Sequence, residues 1–347
     1  MLEHGGRRCA ATRRYGIPEA DWLDLSTGIN PHGYPVPPIS AEDWRRLPED
    51  DDGLLDAATG YYGTPYLVAL SGSQSAIQTL PWLLPQGRVA VLAPTYAEHP
   101  YHWRNAGHAV SRFAAHELSA ISDTVGTVLL CQPNNPDATR FPADLLAESA
   151  ERLQVRGGHL IVDEAFIDAT PDESLITLAG ARLPTLIVLR SLGKFFGLAG
   201  ARVGFVAARS ELRQALREAA GPWPLSGPAR IAARQALANT VWQARMRRTL
   251  SDSSTRLSRL LAPLDPAGQR RVQPLFVWLP TPTASALADA LAGQGILVRA
   301  FGETGATGLR FGLPGGEGDW QRLEAALRTL PGVPKPSNSP EPAGEMT

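Results

Sequence analysis

Lys194 lies in Ser191-Leu-Gly-Lys194-Phe-Phe-Gly-Leu-Ala-Gly-Ala-Arg202, shortly after the apolar run Thr185–Leu189. Three other apolar runs also end in functional side chains. Arg88–Ala93 leads into Pro94-Thr95-Tyr96, Thr127–Cys131 into Gln132-Pro-Asn134-Asn-Pro, and His159–Val162 into Asp163-Glu-Ala-Phe166. The four ends supply an aromatic ring, an amide, a carboxylate and an amine. Pyridoxal phosphate chemistry needs that set. A lysine amine carries the cofactor aldehyde covalently, and a carboxylate beside the pyridine nitrogen keeps it protonated, so that the ring accepts electrons. An aromatic face stacks on the ring and an amide supports its phenolic oxygen. A helix N-terminus and an arginine hold the phosphate. Ser71-Gly72-Ser73-Gln74-Ser75, opening an apolar helix pattern, meets the last need together with Ser191 and Arg202.

For these groups to meet, the runs must be strands of one sheet. Apolar runs separated by helix-length segments such as 142–156 predict buried strands alternating with helices, hence a mainly parallel sheet covered on both faces. Ligands of such sheets bind at the carboxyl ends of the strands. A fifth run, Val203–Ala207, is read as a further strand, and a long Ala/Arg/Leu-rich helical segment over 228–261 leads into a second α/β unit with strands near 276–279, 296–298 and 309–311. The expected division is an N-terminal arm with part of the smaller domain over 1–45, a large cofactor-binding domain over 46–235, the small domain over 236–330, and a disordered Pro/Ser/Glu-rich tail over 331–347.

The 347 residues are 44% apolar and 19% charged, with a net charge of -1, which gives no electrostatic case for nucleic acid or an anionic membrane. No apolar run is long enough to span a bilayer, and the first residues lack an apolar signal core. Cys9 and Cys131 are too few for a disulfide framework and are read as reduced thiols of a cytoplasmic protein. His99 and His102 lack an accompanying metal-ligand set, so no metal is expected. Gly193-Lys194 is followed by Phe, which excludes a nucleotide P-loop, and Gly197, Gly200 and Gly204 lack dinucleotide spacing.

Over roughly residues 20–330 the chain resembles the fold type I pyridoxal-phosphate enzymes of the aspartate aminotransferase group. The family order is Gly-Ser at a helix start, stacking aromatic, Asn-Pro, Asp, Lys, Arg. It is matched by Gly72-Ser73, Tyr96, Asn134, Asp163, Lys194 and Arg202, and Arg310 then matches the arginine for the substrate carboxylate. Four stretches, Glu3-His4-Gly-Gly, Ser26-Thr-Gly-Ile-Asn30-Pro, Asp163-Glu-Ala-Phe166-Ile-Asp and Gly221-Pro-Trp-Pro-Leu-Ser-Gly-Pro228, resemble one branch of the family. That branch decarboxylates L-threonine O-3-phosphate to (R)-1-aminopropan-2-yl phosphate for the cobalamin nucleotide loop. The resemblance implies pyridoxal phosphate as cofactor, a phosphorylated amino-acid substrate and a homodimer. It assigns Lys194 and Asp163 to catalysis, with Gln74 among the cofactor residues. Arg310 is expected to hold the carboxylate out of the ring plane, Arg299 to meet the substrate phosphate, and His4 and Asn30 to close the pocket. The alternatives are transamination of a phosphorylated amine such as histidinol phosphate, and a catalytically silent binding protein. Phe166 replaces a tyrosine common in aminotransferases and has no hydroxyl to donate. Leu47-Pro-Glu stands where histidinol-phosphate aminotransferases tend to have Tyr-Pro-Asp.

Overall fold

A computed structural model describes residues 4–302 and 306–330. The expected tail, 331–347, lies outside the described residues. The arm contributes strand β1 (Leu23–Asp24). The large sheet is built from β2 (Leu67–Leu70), β3 (Arg88–Leu92), β4 (Ala109–Phe113), β5 (Thr127–Cys131), β6 (His159–Asp163), β7 (Leu186–Ser191) and β8 (Gly204–Ala207). Their spatial order is β2-β8-β7-β6-β5-β3-β4. Neighbouring strands are parallel from β4 through to β7, while β8 runs antiparallel to both β7 and β2.

The expected mainly parallel sheet is thus present, with one reversed strand. Side chains alternate between the two faces. Val128, Leu130, Leu160 and Val162 enter one core and Leu129, Ile161, Ile187 and Leu189 the other. A strand buried on both sides has no polar position to betray its period, so β5, β6 and β7 read as unbroken apolar runs. β4 escapes that reading because it is an edge strand: its sequence Ala-Val-Ser-Arg-Phe is largely exposed and buries mainly Phe113. β2, the opposite edge, is only four residues long.

The expected single helical segment over 228–261 is two helices, Gly227–Ala238 and Thr240–Leu261. They break at Asn239, whose side chain accepts from the Trp242 backbone N–H at 3.0 Å and caps the second helix. Beyond them, β9 (Arg271–Gln273), β10 (Phe276–Pro280), β12 (Arg299–Phe301) and β13 (Gly308–Gly312) form an antiparallel sheet in the order β12-β13-β10-β9. The predicted strand near 296–298 is shorter than expected. As β11 (Ile296–Leu297) it pairs in parallel with β1, joining the arm to this part of the chain.

Candidate active site

The carboxyl ends of β3, β5, β6 and β7 open on a cleft of about 260 Å³ lined in part by Ser73, Tyr96, Asp163, Ser191, Lys194 and Arg202, with Arg310 entering from β13. The aromatic ring, the carboxylate and the amine of the strand-end argument thus line one cavity, and its amide, Asn134, does not.

Lys194 is held from both sides of its loop. The Asn30 backbone N–H donates to the Lys194 carbonyl at 3.0 Å, and the Asn30 amide donates to the Phe195 carbonyl at 2.7 Å. The arm approaches so closely here that a Cβ on Gly197, at φ +68, would lie 2.5 Å from the Gly33 Cα. Asn30 is therefore a brace for the lysine loop, and its remaining oxygen accepts from the His32 backbone N–H at 2.8 Å. Its side chain, buried at 3% exposure, bonds backbone partners on both its nitrogen and its oxygen and is not among the residues lining the cleft, so the structure places it behind the lysine loop. The Lys194 amine donates to the Thr27 carbonyl at 3.4 Å and lies 5.3 Å from the Phe166 ring centre. Burial, then the nearby Arg310 charge, brings its pKa down to about 8, against a smaller opposing pull from Asp163. A lysine in that state readily presents a neutral, nucleophilic amine.

Asp163 ends β6, where it accepts from the Ala165 backbone N–H at 3.0 Å and meets His99 Nε2 at 2.9 Å. Burial opposes a charge on His99, but Asp163 and the Cys131 thiol together push its pKa up to about 10. His99 lies three residues beyond Tyr96, so the turn that presents the ring also presents the imidazole to Asp163. The sequence spacing suggested only a metal role for His99 and found no companions for one. Folding brings the ligand atoms of His99, Cys131 and Asp163 within 4.8 Å of one another.

At the other end of the cleft, the helix Gly72–Leu83 begins beside Arg202. Gly72 has φ +74, and a Cβ there would lie 2.9 Å from a guanidinium nitrogen of Arg202, so glycine permits that approach. Ser73 and Gln74 follow on the cavity wall, and Ser191 accepts from the Gly193 backbone N–H at 3.2 Å. Gln74 also accepts from the Tyr96 hydroxyl at 3.3 Å.

The amide on the cavity is Asn135, not Asn134. Asn134 is fully buried; it donates to the Pro94 carbonyl at 2.8 Å and to Asp137 at 2.6 Å, and accepts from Thr95 at 3.2 Å. The turn that starts here, closed by the Ala138 backbone N–H on the Asn134 carbonyl at 3.0 Å, leaves one amide bracing the loop and the next lining the cleft. Asn135 accepts from Arg310, whose other terminal nitrogen donates to the Ser26 carbonyl at 2.7 Å. Arg310 makes no ion pair among the described residues, and its buried Nε has no partner there. Burial, then repulsion from Arg299, draws its pKa down to about 10, still well above neutrality. A buried cation satisfied only by neutral acceptors is a receptor for an anion.

Arg299 lines a neighbouring cleft with Arg7, Arg14, Tyr15 and Asp289, and its guanidinium lies 5.3 Å from the Phe301 ring centre. His4 borders both clefts and pairs with Glu98 at 2.7 Å.

These groups fit pyridoxal phosphate: an amine of lowered pKa, a buried carboxylate hydrogen-bonded to an imidazole, and an arginine beside a helix N-terminus whose first glycine makes room for it. Fold and site define a fold type I pyridoxal-phosphate enzyme, and the chain belongs to the aminotransferase class I and II family, which residues 52–329 match. It is 51% identical over 330 residues to a threonine-phosphate decarboxylase of Pseudomonas aeruginosa, covering 94% of this chain and 97% of that one. It is 40% identical to a threonine-phosphate decarboxylase of a Sinorhizobium species, across 94% of this chain and 98% of the relative. Among solved structures, the histidinol-phosphate aminotransferase of Sinorhizobium meliloti in complex with pyridoxal-5'-phosphate superposes with a TM-score of 0.79 at 22% identity, covering 94% of each chain.

Proposed function

We propose that the protein decarboxylates L-threonine O-3-phosphate to (R)-1-aminopropan-2-yl phosphate for the nucleotide loop of cobalamin. The observation that carries this reading is the 51% identity, over nearly the whole of both chains, to a threonine-phosphate decarboxylase. The site supplies a role for each group. Arg202, Ser73, Gln74 and Ser191 would hold the cofactor phosphate, Tyr96 would stack on the ring, and Asp163, fixed by His99, would meet the pyridine nitrogen. When bound, pyridoxal phosphate accepts the electron pair released as the bond between Cα and the carboxylate breaks. Arg310 and Asn135 grip the substrate carboxylate and fix its direction, which accelerates the reaction only if the gripped orientation is the reactive one. Lys194, which would hold the cofactor aldehyde, would also supply the proton that replaces carbon dioxide at Cα. Phe166 packs beside the amine without a hydroxyl. Arg299, with His4 nearby, receives the substrate phosphate from the neighbouring cleft.

The cofactor unit is 46–235, and the arm, 1–45, completes the smaller unit over 236–330. The protein works in the cytoplasm as a homodimer. Among the described residues no helix is long and apolar enough to cross a membrane.

Holoenzyme given L-threonine O-3-phosphate without any oxo acid should release carbon dioxide and aminopropanol phosphate in equal amounts. Product formation that requires an oxo acid and yields no carbon dioxide would overturn the reading in favour of transamination.

A further inference from the structure

Glu98 opens the helix Glu98–Asn105, two residues beyond Tyr96. Its side chain is 13% exposed and both oxygens are engaged: Oε1 meets His4 Nε2 at 2.7 Å, while Oε2 meets His102 Nε2 at 2.9 Å and accepts from the Gln74 amide at 3.1 Å. Gln74 in turn receives the Tyr96 hydroxyl, and the His4 ring centre lies 5.9 Å from that of Tyr96. His4, Gln74 and Tyr96 all line the cofactor cleft, and Glu98 does not.

We propose that Glu98 is a positioning residue for the reaction, tying the N-terminal arm to the helix that receives the cofactor phosphate. One carboxylate sets three cavity side chains: His4 directly, Gln74 directly, and Tyr96 through Gln74. Hydrogen bonds to an ionised acceptor are roughly twice as strong as neutral ones, so a carboxylate shared by two imidazoles holds this cluster better than an amide would. His102 is off the cavity and fixes the carboxylate from behind, as an i+4 partner on the same helix turn. Of the two residues that the cofactor cleft and the basic outer cleft share, Gly5 and His4, His4 carries the side chain. Its placement decides whether the two compartments are separated, and Glu98 holds it there. Nothing in the spacing of Glu98 marks it in the sequence, because its partners come from positions 4, 74 and 102.

The inference rests on the proposed reaction for its kinetic readout only. The experiment compares wild-type holoenzyme with Glu98→Gln, His4→Ala and the double variant, measuring tryptic cleavage after the exposed Arg7 and Arg8, cofactor dissociation, and kinetics with L-threonine O-3-phosphate. Glu98→Gln should speed cleavage and weaken cofactor retention about 5- to 10-fold each, and raise KM about 10-fold with kcat within about 3-fold. His4→Ala, on the exposed arm where folding of the core is not at stake, should speed cleavage alike while loosening the cofactor less than Glu98→Gln does. In the His4→Ala background, Glu98→Gln should add nothing to cleavage yet still loosen the cofactor. Unchanged cleavage and cofactor retention in Glu98→Gln would overturn the inference, as would an undiminished effect on cleavage in the His4→Ala background. If the substrate is not decarboxylated at all, the proposed reaction fails while the cleavage and cofactor measurements still decide the role of Glu98.

Discussion

Lys194 carries a cost that its chemistry requires. Burial holds its pKa near 8 against 10.5 for a free lysine, so at neutral pH the apo protein keeps a disfavoured charge inside. Below pH 8 that penalty is fully present; it fades as the folded lysine deprotonates, and is gone above 10.5, where the unfolded lysine is neutral too. Apo Lys194→Met should therefore be more stable than apo wild type at pH 7 by about 2–4 kcal/mol, and the advantage should shrink between pH 8 and 10.5. Denaturant titrations at pH 7 and pH 10 check this; an advantage that grows with pH would refute it. The same substitution should abolish turnover and the lysine-dependent absorbance band of the holoenzyme.

His99 has the opposite sign. Its raised pKa means that the Asp163 pair contributes fully below pH 6.5 and is lost only as pH rises through about 10. Ring signals of His99 in a nuclear magnetic resonance titration should remain those of the protonated form at pH 8. The lysine and the aspartate were legible in the sequence because strand ends announce them. His99 was visible but unassigned, since its partner lies 64 residues away. The two adjacent asparagines show the limit of residue-scale reading. Asn135→Ala should raise KM about 10-fold by loosening Arg310, whereas Asn134→Ala should lower stability by about 1–3 kcal/mol through the polar groups it strands. Paired kinetic and thermal measurements separate them, and equal KM effects would remove the distinction.

At the scale of elements, the site depends on two segments that meet without belonging to one strand or helix. The loop after β7 carries the lysine, and the arm segment around Asn30–Gly33 grips it. Gly197→Ala removes no cavity group, yet its methyl would meet the Gly33 backbone at 2.5 Å from a backbone conformation unsuited to alanine. Activity should fall at least about 10-fold with cofactor retention weakened, because small misplacements of a reacting group are expensive; a fully active Gly197→Ala enzyme would show that the grip is incidental. Central strands were legible because full burial writes them as apolar runs. The edge strand β4 was not, since half its residues face solvent, and neither was the break at Asn239, where a single capping side chain divides one amphipathic pattern in two.

For the whole molecule, the apolar core on one face of the large sheet encloses a buried polar knot. Arg190 on β7 pairs with Glu164 at 2.9 Å and with Asp168, both carboxylates buried. Asp168 also accepts from Tyr61 at 3.1 Å, while its carbonyl accepts from Arg247 of the long helix at 3.0 Å. Asp168→Ala leaves Arg190 its partner Glu164 but strands the Tyr61 hydroxyl and one guanidinium nitrogen of Arg190, so it should cost about 1–3 kcal/mol, read as a lower midpoint in denaturant. The sequence offered Asp163 and Asp168 in one short motif with nothing to tell a catalytic carboxylate from a structural one; only the strand end and the knot do so.

Arg310 has a consequence for turnover. Among the described residues its guanidinium hydrogen-bonds to neutral acceptors only, so under the proposed reaction the anion it grips is the group that the reaction removes. Carbon dioxide departs uncharged, and the product keeps its phosphate contacts but loses its carboxylate anchor. Each cycle thus erases one of the two anionic groups by which the ligand was retained, which favours release. An unreactive analogue that keeps the carboxylate should then linger far longer than the true product.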